Sequence, residues 1–534
     1  MKRYDALVIG AGHNGLVCAW YLARAGFRVR MFEARDVVGG AAVTESFHPG
    51  FRNSTASYTV SLLQRRVIAD MRLHERGLRI VERPLSNFLP IPDGRSLSLG
   101  GGIAATQAAF AKFSARDAER LPAYHAAVER VADLLRDLAL RPPPGGTSVG
   151  EALSLATRAR RMPPAAQRDA LALFTKSARE FLSGWFESDP VQAVFGFDAV
   201  VGNHAGPDTP GSAYVLLHHV FGEVNGNRGA WGHAIGGMGA ITQAMAAACR
   251  DAGVKIEVEA PVARVLTDGG RVAGVRLADG REFAASRVIG NLGPKPLFEK
   301  LVDPADLDPD FRARIAGYAV GSGSFRMNLA LSELPRFTAK PEPGPHLSAG
   351  IIMAPSLDYM ERAFADSKAL GWSREPIVEM LIPSTLDDTL APPGLHVASL
   401  FCQQFNPVLP DDRSWDGARE AAADTVIDTI ERYAPGFRAS ILARQIHSPL
   451  DLERKFGLAG GDIFHGRMSL DQLWAARPVL GHGRYRMPIA GLYLCGAGAH
   501  PGGGVTGAPG HNAARAILAD RGLAGRLGLL KRAR

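Results

Sequence analysis

Residues 4–33 read "YDALVIGAGHNGLVCAWYLARAGFRVRMFE". The first six form a short apolar run, expected to be a strand buried on both faces. "GAGHNG" places glycines at Gly10, Gly12 and Gly15, a G-x-G-x-x-G turn opening a helical run that ends near Gly26. A second strand, "FRVRMFE", stops on an acid, Glu33. Strand, glycine turn, helix and acid-terminated strand in that order make the motif specific for a dinucleotide. Gly10 permits the tight turn, Gly12 lets backbone approach a pyrophosphate, and Gly15 lets helix pack on strand. The helix start offers free N–H groups and a partial positive charge to the phosphates. Glu33 stands where an acid accepts hydrogen bonds from ribose hydroxyls. His13 and Asn14 lie within the phosphate turn, where loop hydrogen bonding is their expected role.

The totals set bounds around this motif. A chain of 534 residues exceeds one ordinary core, so two or three domains are expected. No apolar run reaches the ~18 residues of a membrane span, and "MKRYDALVIG" passes straight into a strand without a signal peptide. A cytoplasmic address follows as the expectation. The net charge of +8 is scattered and carries no nucleic-acid motif, so no nucleic-acid partner is expected. The basic end "GRLGLLKRAR", within 523–534, is a solvated tail that an anionic membrane surface could also hold. Cys18, Cys249, Cys402 and Cys495 form no C-x-x-C pair, so neither a dithiol site nor a metal cluster is expected; they read as buried free thiols.

After Glu33 the chain continues "ARDVVGGAAVT", with Arg35 and the pair Gly39–Gly40. This resembles the extension of FAD-binding flavoproteins, in which the loop returns beside the pyrophosphate. A second strand–glycine–helix unit for a nicotinamide cofactor is not expected, because "AIGGMGAITQAMAAACRDAG" lacks a proper strand before it. The centre, "GVKIEVEAPVARV", resembles the amine oxidase and phytoene desaturase superfamily, which by that likeness sets the backbone of Val262 against adenine. The end, "AGLYLCGAGAHPGGGVTGAPGHNAARAIL", resembles the superfamily's closing strand, glycine loop and helix. There the loop crosses the flavin ring and the helix start steadies its reduced form, which implicates Gly496, Gly504 and Val505. "GAHPGGGV" and "PGFRNSTASY" are similar to the phytoene desaturase-like branch. The resemblance implies FAD, a small-molecule substrate and an unknown electron acceptor.

The expected fold class is α/β: a Rossmann-type FAD-binding domain assembled from three discontinuous segments, plus an α+β substrate domain. The segments are 1–80, 232–300 and 480–522, with 85–231 and 301–475 building the substrate domain. The stretch 85–231 reads as helical, and 301–475 mixes strands with a helix near "GAREAAADTVIDTIERYAPG". Four stretches should converge on the flavin: 53–58, 229–237, 290–294 and 497–505. They supply the catalytic candidates His500, His233 and Tyr58. Trp231 reads as packing, and a thioether from Cys495 to flavin is conceivable. The implied activity is hydride transfer between an apolar or amphipathic molecule and flavin, of desaturase, saturase or isomerase type. An amine oxidase is the alternative in chemistry, with Lys295 the only lysine near those stretches. An FAD-binding protein acting through partners without turnover is the alternative in class.

Overall fold

A computed structural model describes residues 3–143, 153, 157, 160 and 162–532. Its organising element is a five-stranded, all-parallel sheet in the order Lys255–Glu257, Val29–Phe32, Ala6–Ile9, Val288–Gly290, Leu492–Leu494. The central strand, "ALVI", is buried at every position, which explains why its sequence runs apolar without alternation. Helix His13–Arg24 follows the glycine turn and packs against helix Gly239–Asp251 and the last helix, Ala508–Arg532. One apolar core joins these parts, uniting Leu7, Val8, Leu16, Val17, Ile241, Met245, Ile289 and Ile517. Segments far apart in sequence thus share one sheet. Alongside lies a four-stranded sheet, Arg3–Tyr4, Glu282–Ala285, Arg271–Leu277 and Val262–Asp268.

A seven-stranded sheet forms the second layer system. Its order is Ile441–His447, Ser324–Leu331, His396–Gln403, Ile377–Leu381, Gly350–Met353, Leu85–Pro90, Ser96–Gly100. Alternation sorts its residues by face. Phe325, Met327, Leu329, Val378, Met380, Ala398, Leu400 and Cys402 enter a core with helix Trp415–Tyr433. The opposite positions hold Arg326, Asn328, Glu379, Ser399 and Phe401, also buried. Helices Ala115–Ala139, Pro164–Thr175, Ala178–Ser183 and Asp189–Val200 form a further core that includes Leu89, Ile352 and Ile377 of the sheet.

Two expectations need correction. The stretch 85–231 is not wholly helical, because Leu85–Pro90 and Ser96–Gly100 complete the large sheet. His13 and Asn14 belong to the first turn of the helix, with Gly12 as its N-cap. The basic tail continues the last helix to Arg532, but the membrane contact expected of it rests on side chains outside the described residues. Among the described residues, no helix is long and apolar enough to cross a membrane.

Candidate functional site

The C-terminal ends of the parallel strands open into a cavity of about 740 Å³, the place where open α/β sheets bind ligands. Gly10, Gly12, His13 and Asn14 line it after the central strand, Glu33 and Arg35 after the next, and Asn291 after Val288–Gly290. The glycines are sterically required. A Cβ on Gly15 would stand 2.5 Å from the Gly10 carbonyl oxygen and 2.7 Å from Asn291 Nδ2. Gly10 itself has φ +90, and Asn291 Nδ2 donates to its carbonyl at 3.1 Å. No side chain caps the helix N-terminus and no acid stands in its first turn, so its first N–H groups are left for an anionic ligand.

Glu33 is pre-set by backbone. Its Oε2 accepts from the Ala11 N–H at 2.8 Å and its Oε1 from the Arg35 N–H at 3.1 Å. Each oxygen keeps a lone pair for another donor. Four wall residues carry buried polar atoms without partners: His13 Nε2, Asn14 Oδ1, Arg35 Nη1 and His465 Nδ1. Burial pushes both imidazoles down to about 4, so they stand neutral at pH 7. Buried polar atoms are normally satisfied. Four orphans on one wall match a large polar ligand such as a dinucleotide.

Beyond this cradle the wall turns apolar, with Ala56, Val60, Trp231, Phe401, Ile463 and Phe464. Tyr58 lies here, half-buried, its ring stacked on Phe401 at 5.0 Å and beneath the Arg326 guanidinium at 4.5 Å. Its hydroxyl donates to Glu379 Oε2 at 2.5 Å. The sheet register explains the cluster: Arg326 and Glu379 both pair with Phe401, so the three side chains form a row across three strands. Burial, then the charge of Glu379, raises the Tyr58 phenol well above its ordinary value. Burial likewise raises the Glu379 carboxyl, against the opposing pull of Arg83, Tyr58 and Arg326. It pushes Arg326 down to about 10.

A profile of the flavin containing amine oxidoreductase family matches residues 15–325. A mouse protein named pyridine nucleotide-disulfide oxidoreductase domain-containing protein 2 is 42% identical over 97% of this chain and 94% of its own. The chain belongs to the flavin-containing amine oxidoreductase family. A lycopene-forming phytoene desaturase of Pseudescherichia vulneris is 27% identical over 95% of this chain and 96% of its own. An oxidoreductase structure from Methanosarcina mazei superposes with a TM-score of 0.60 at 18% identity, covering 96% of this chain and 99% of that one. That likeness shows the fold, a Rossmann-type domain with a substrate domain. The chain is therefore an FAD-dependent oxidoreductase of the amine oxidase and phytoene desaturase superfamily, and the cradle suits its FAD.

The four stretches expected to meet at the flavin each reach the cavity, through Tyr58, Trp231, Asn291 and Leu292, and Ala497, Gly504 and Val505. Gly40 and Val262 also line it. Gly39 stands just behind, its N–H donating to the Ala11 carbonyl at 2.9 Å, and Gly496 packs on Leu292.

Two catalytic candidates turn away from the wall. His500 lines a separate, smaller cavity with Trp474 and Tyr214; its Nε2 meets the Leu138 carbonyl at 3.3 Å and its ring lies 5.3 Å from that of Trp474. The cis peptide before Pro501 belongs to the same turn. His233 is buried with its Nε2 2.9 Å from Asp387 Oδ2, which also accepts from the Gly236 N–H at 2.7 Å. That pair fixes a loop.

Cys495 is fully buried and absent from the cavity wall, so the thioether has no geometry behind it. The cysteines separated in sequence are nonetheless neighbours: Cys18 stands beside both Cys495 and Cys249, and burial raises the latter two thiols. Raised, buried thiols are inert packing. Lys295 donates to the Ala316 carbonyl at 2.6 Å and does not line the cavity. Sequence reasoning missed Arg477, which is 0% exposed and donates to the carbonyls of Ala497, Phe464, Gly466, Arg467 and Gln472. It braces the glycine loop from behind. It also missed His465, Glu379 and Arg326; the signal for the last two was a charge inside otherwise apolar strands.

Proposed function

We propose that this enzyme transfers a hydride between FAD and an apolar or amphipathic small molecule, in a reaction of desaturase, saturase or isomerase type. In this reading Gly10, Gly12, Asn14 and the open helix start hold the pyrophosphate. Glu33 takes ribose hydroxyls, Arg35 and Gly40 close over the cofactor, and Val262 meets adenine. His13 and His465, neutral and short of partners, donate or accept at the cofactor's polar edge. Gly504 and Val505 bring backbone to the flavin. FAD supplies the hydride chemistry when bound; the protein positions the substrate and excludes water. The segments 1–80, 232–300 and 480–522 form the cofactor domain in this proposal, and the intervening ones bind substrate.

The observation that carries the proposal is the apolar wall formed by Val60, Trp231, Phe401, Ile463 and Phe464, continuous with the cradle. The phytoene desaturase likeness over nearly the full length supports the substrate class. Amine oxidation draws less support. Lys295 is committed elsewhere, and of the two lysines that reach the wall, Lys455 is ion-paired with Glu45 at 2.5 Å.

The test is anaerobic mixing of FAD-loaded protein with carotenoids, isoprenoid and fatty alcohols, and amines, following loss of the oxidised-flavin absorbance. Reduction by isoprenoid or fatty compounds is expected. Reduction by amines alone would overturn the reading. Failure of every compound while dithionite still bleaches the flavin would favour a binding protein without turnover.

A further inference from the structure

Nothing in holding a dinucleotide calls for the row Arg326–Phe401–Glu379 or for the Tyr58 stacked on it. Burying charges costs several kcal/mol each unless they are paired and hydrogen-bonded, so a buried row of this kind beside an apolar cavity asks for a use. The polar atoms around it are mostly committed. Arg326 donates to the Leu400 carbonyl and to Ser399 Oγ, both at 2.7 Å, and its Nε, buried without a partner, lies off the cavity wall. Thr59 Oγ1 donates to the Gly232 carbonyl at 3.2 Å and accepts from Arg83. Ser61 Oγ donates to the Ala230 carbonyl at 3.2 Å. The one donor of Tyr58 is spent on Glu379. What the wall still offers at this point is acceptor capacity: the lone pairs of the phenol oxygen, backed by a carboxylate.

An acceptor pole selects a donor. A hydrocarbon would strip water from it and return nothing. An aldehyde or ketone brings only acceptors, and a carboxylate would face Glu379 with like charge. A hydroxyl brings the O–H that the pole lacks. The groups surrounding it are Arg83, Arg326, Glu379, Asp198 on the neighbouring helix and Cys402 on the neighbouring strand. The two guanidiniums offset Glu379 and keep a carboxylate tolerable in a buried place.

We propose that Tyr58, backed by Glu379, anchors the hydroxyl group of an otherwise apolar substrate, so that the enzyme's substrate class is a lipid-like alcohol. The proposal rests on the reading of this cavity as the substrate site, and narrows it. Tyr58 is the contact residue and Glu379 its positioning partner.

The test is calorimetric titration of the oxidised FAD-loaded protein with four molecules of one carbon skeleton: limonene, perillyl alcohol, perillaldehyde and perillic acid. Perillyl alcohol is expected to bind about tenfold more tightly than limonene, the ratio that one retained hydrogen bond to a charge-backed acceptor gives. Tyr58→Phe keeps the ring stacked and removes the oxygen; in it the ratio should fall to near one while limonene binding holds. Glu379→Gln, with flavin content confirming the fold, should cut the alcohol preference as well. Equal binding of all four, tighter binding of the acid or aldehyde, a preference untouched by Tyr58→Phe, or no binding of any of the four would each overturn the proposal. The binding series needs no turnover. An alcohol preference without flavin bleaching leaves the anchor standing while hydride transfer fails, and bleaching without the preference does the reverse.

Discussion

Gly15→Ala separates two effects of opposite sign. In a helix interior with free space, glycine to alanine stabilises by about 1 kcal/mol, since alanine loses less backbone freedom on folding. Gly15 occupies the first helix, but its new Cβ would lie 2.5 Å from the Gly10 carbonyl oxygen, 2.7 Å from Asn291 Nδ2 and 3.0 Å from Asn291 Cβ. The first contact is backbone and cannot rotate aside. Either the helix lifts off the turn or the turn opens, and overpacking of this kind costs about 1–3 kcal/mol. Helix Trp415–Tyr433 holds the matched control, Gly417, where an added Cβ meets nothing within 4 Å. Gly417→Ala should therefore be neutral or stabilising by up to about 1 kcal/mol. Thermal unfolding of the apoproteins, compared as an ordering at one scan rate, should place Gly417→Ala at or above wild type and Gly15→Ala below it. The gap is roughly 2 °C per kcal/mol, or less in a chain of this length. Dialysis of the loaded proteins should show Gly15→Ala losing FAD and Gly417→Ala keeping it. A Gly15→Ala protein as stable as wild type and fully yellow would refute the claim that glycine is there for close approach.

Glu33→Gln keeps the size of the side chain and the acceptor for one backbone N–H, and should weaken FAD retention about tenfold by removing a charged acceptor; unchanged occupancy would refute its role. Arg477→Met removes the donor to five carbonyls and should cost about 3–5 kcal/mol, the scale of breaking a buried polar network, seen as a lower unfolding temperature and a paler protein. His500→Ala should lower stability by about 1–2 kcal/mol yet leave the rate of flavin reduction within about twofold; loss of reduction in a stable variant would return His500 to the chemistry. Burial works to raise the Asp387 carboxyl, but hydrogen bonds from His233, Thr389 and Gly236 outweigh it and hold the group well below the usual carboxylate range. A depressed folded value contributes stability that is complete above the unfolded value of about 4 and fades as pH falls through the folded one. Acid unfolding of Asp387→Asn should therefore show a shallower loss of stability below about pH 4 than wild type.

The cofactor half of the fold was legible because its signals are local. Strand, turn, helix and acid follow one another within residues 4–33, and Gly10, Gly12 and Gly15 each answer a contact within the same turn or with Asn291. The sheet that completes this half draws strands from Val288–Gly290 and Leu492–Leu494, short buried runs that the sequence marks only through the glycine-rich loop after the last. The large sheet was harder. Leu85–Pro90 pairs in parallel with Gly350–Met353 across nearly half the chain, and no local pattern announces a partner so distant. Its polar alternation was on view in "SFRMNLAL" and "IVEML", yet a charge in an apolar strand has no evident purpose until the register sets it beside another.

The site divides along the same line. Residues that shape the cradle through backbone geometry were readable, because geometry of that kind constrains residue type at the position itself. Side chains that act through other side chains were not. His500 attracted attention because it sits in the glycine loop, but a histidine's chemistry depends on where its ring points, and here the ring packs on Trp474 in another cavity. Tyr58 owes its setting to Glu379, 321 residues away, and to Arg326 on a third strand. In the proposed reading, substrate preference resides in a row built by sheet register, where chains that share the glycine motifs are free to differ. An exchange of Glu379 and Arg326 should disturb which molecule binds while leaving the flavin in place, and flavin content measured beside ligand affinity in that double variant separates the two halves directly. Loss of FAD with ligand affinity retained would mean that the row supports the cradle, and that substrate choice has to be sought elsewhere on the wall.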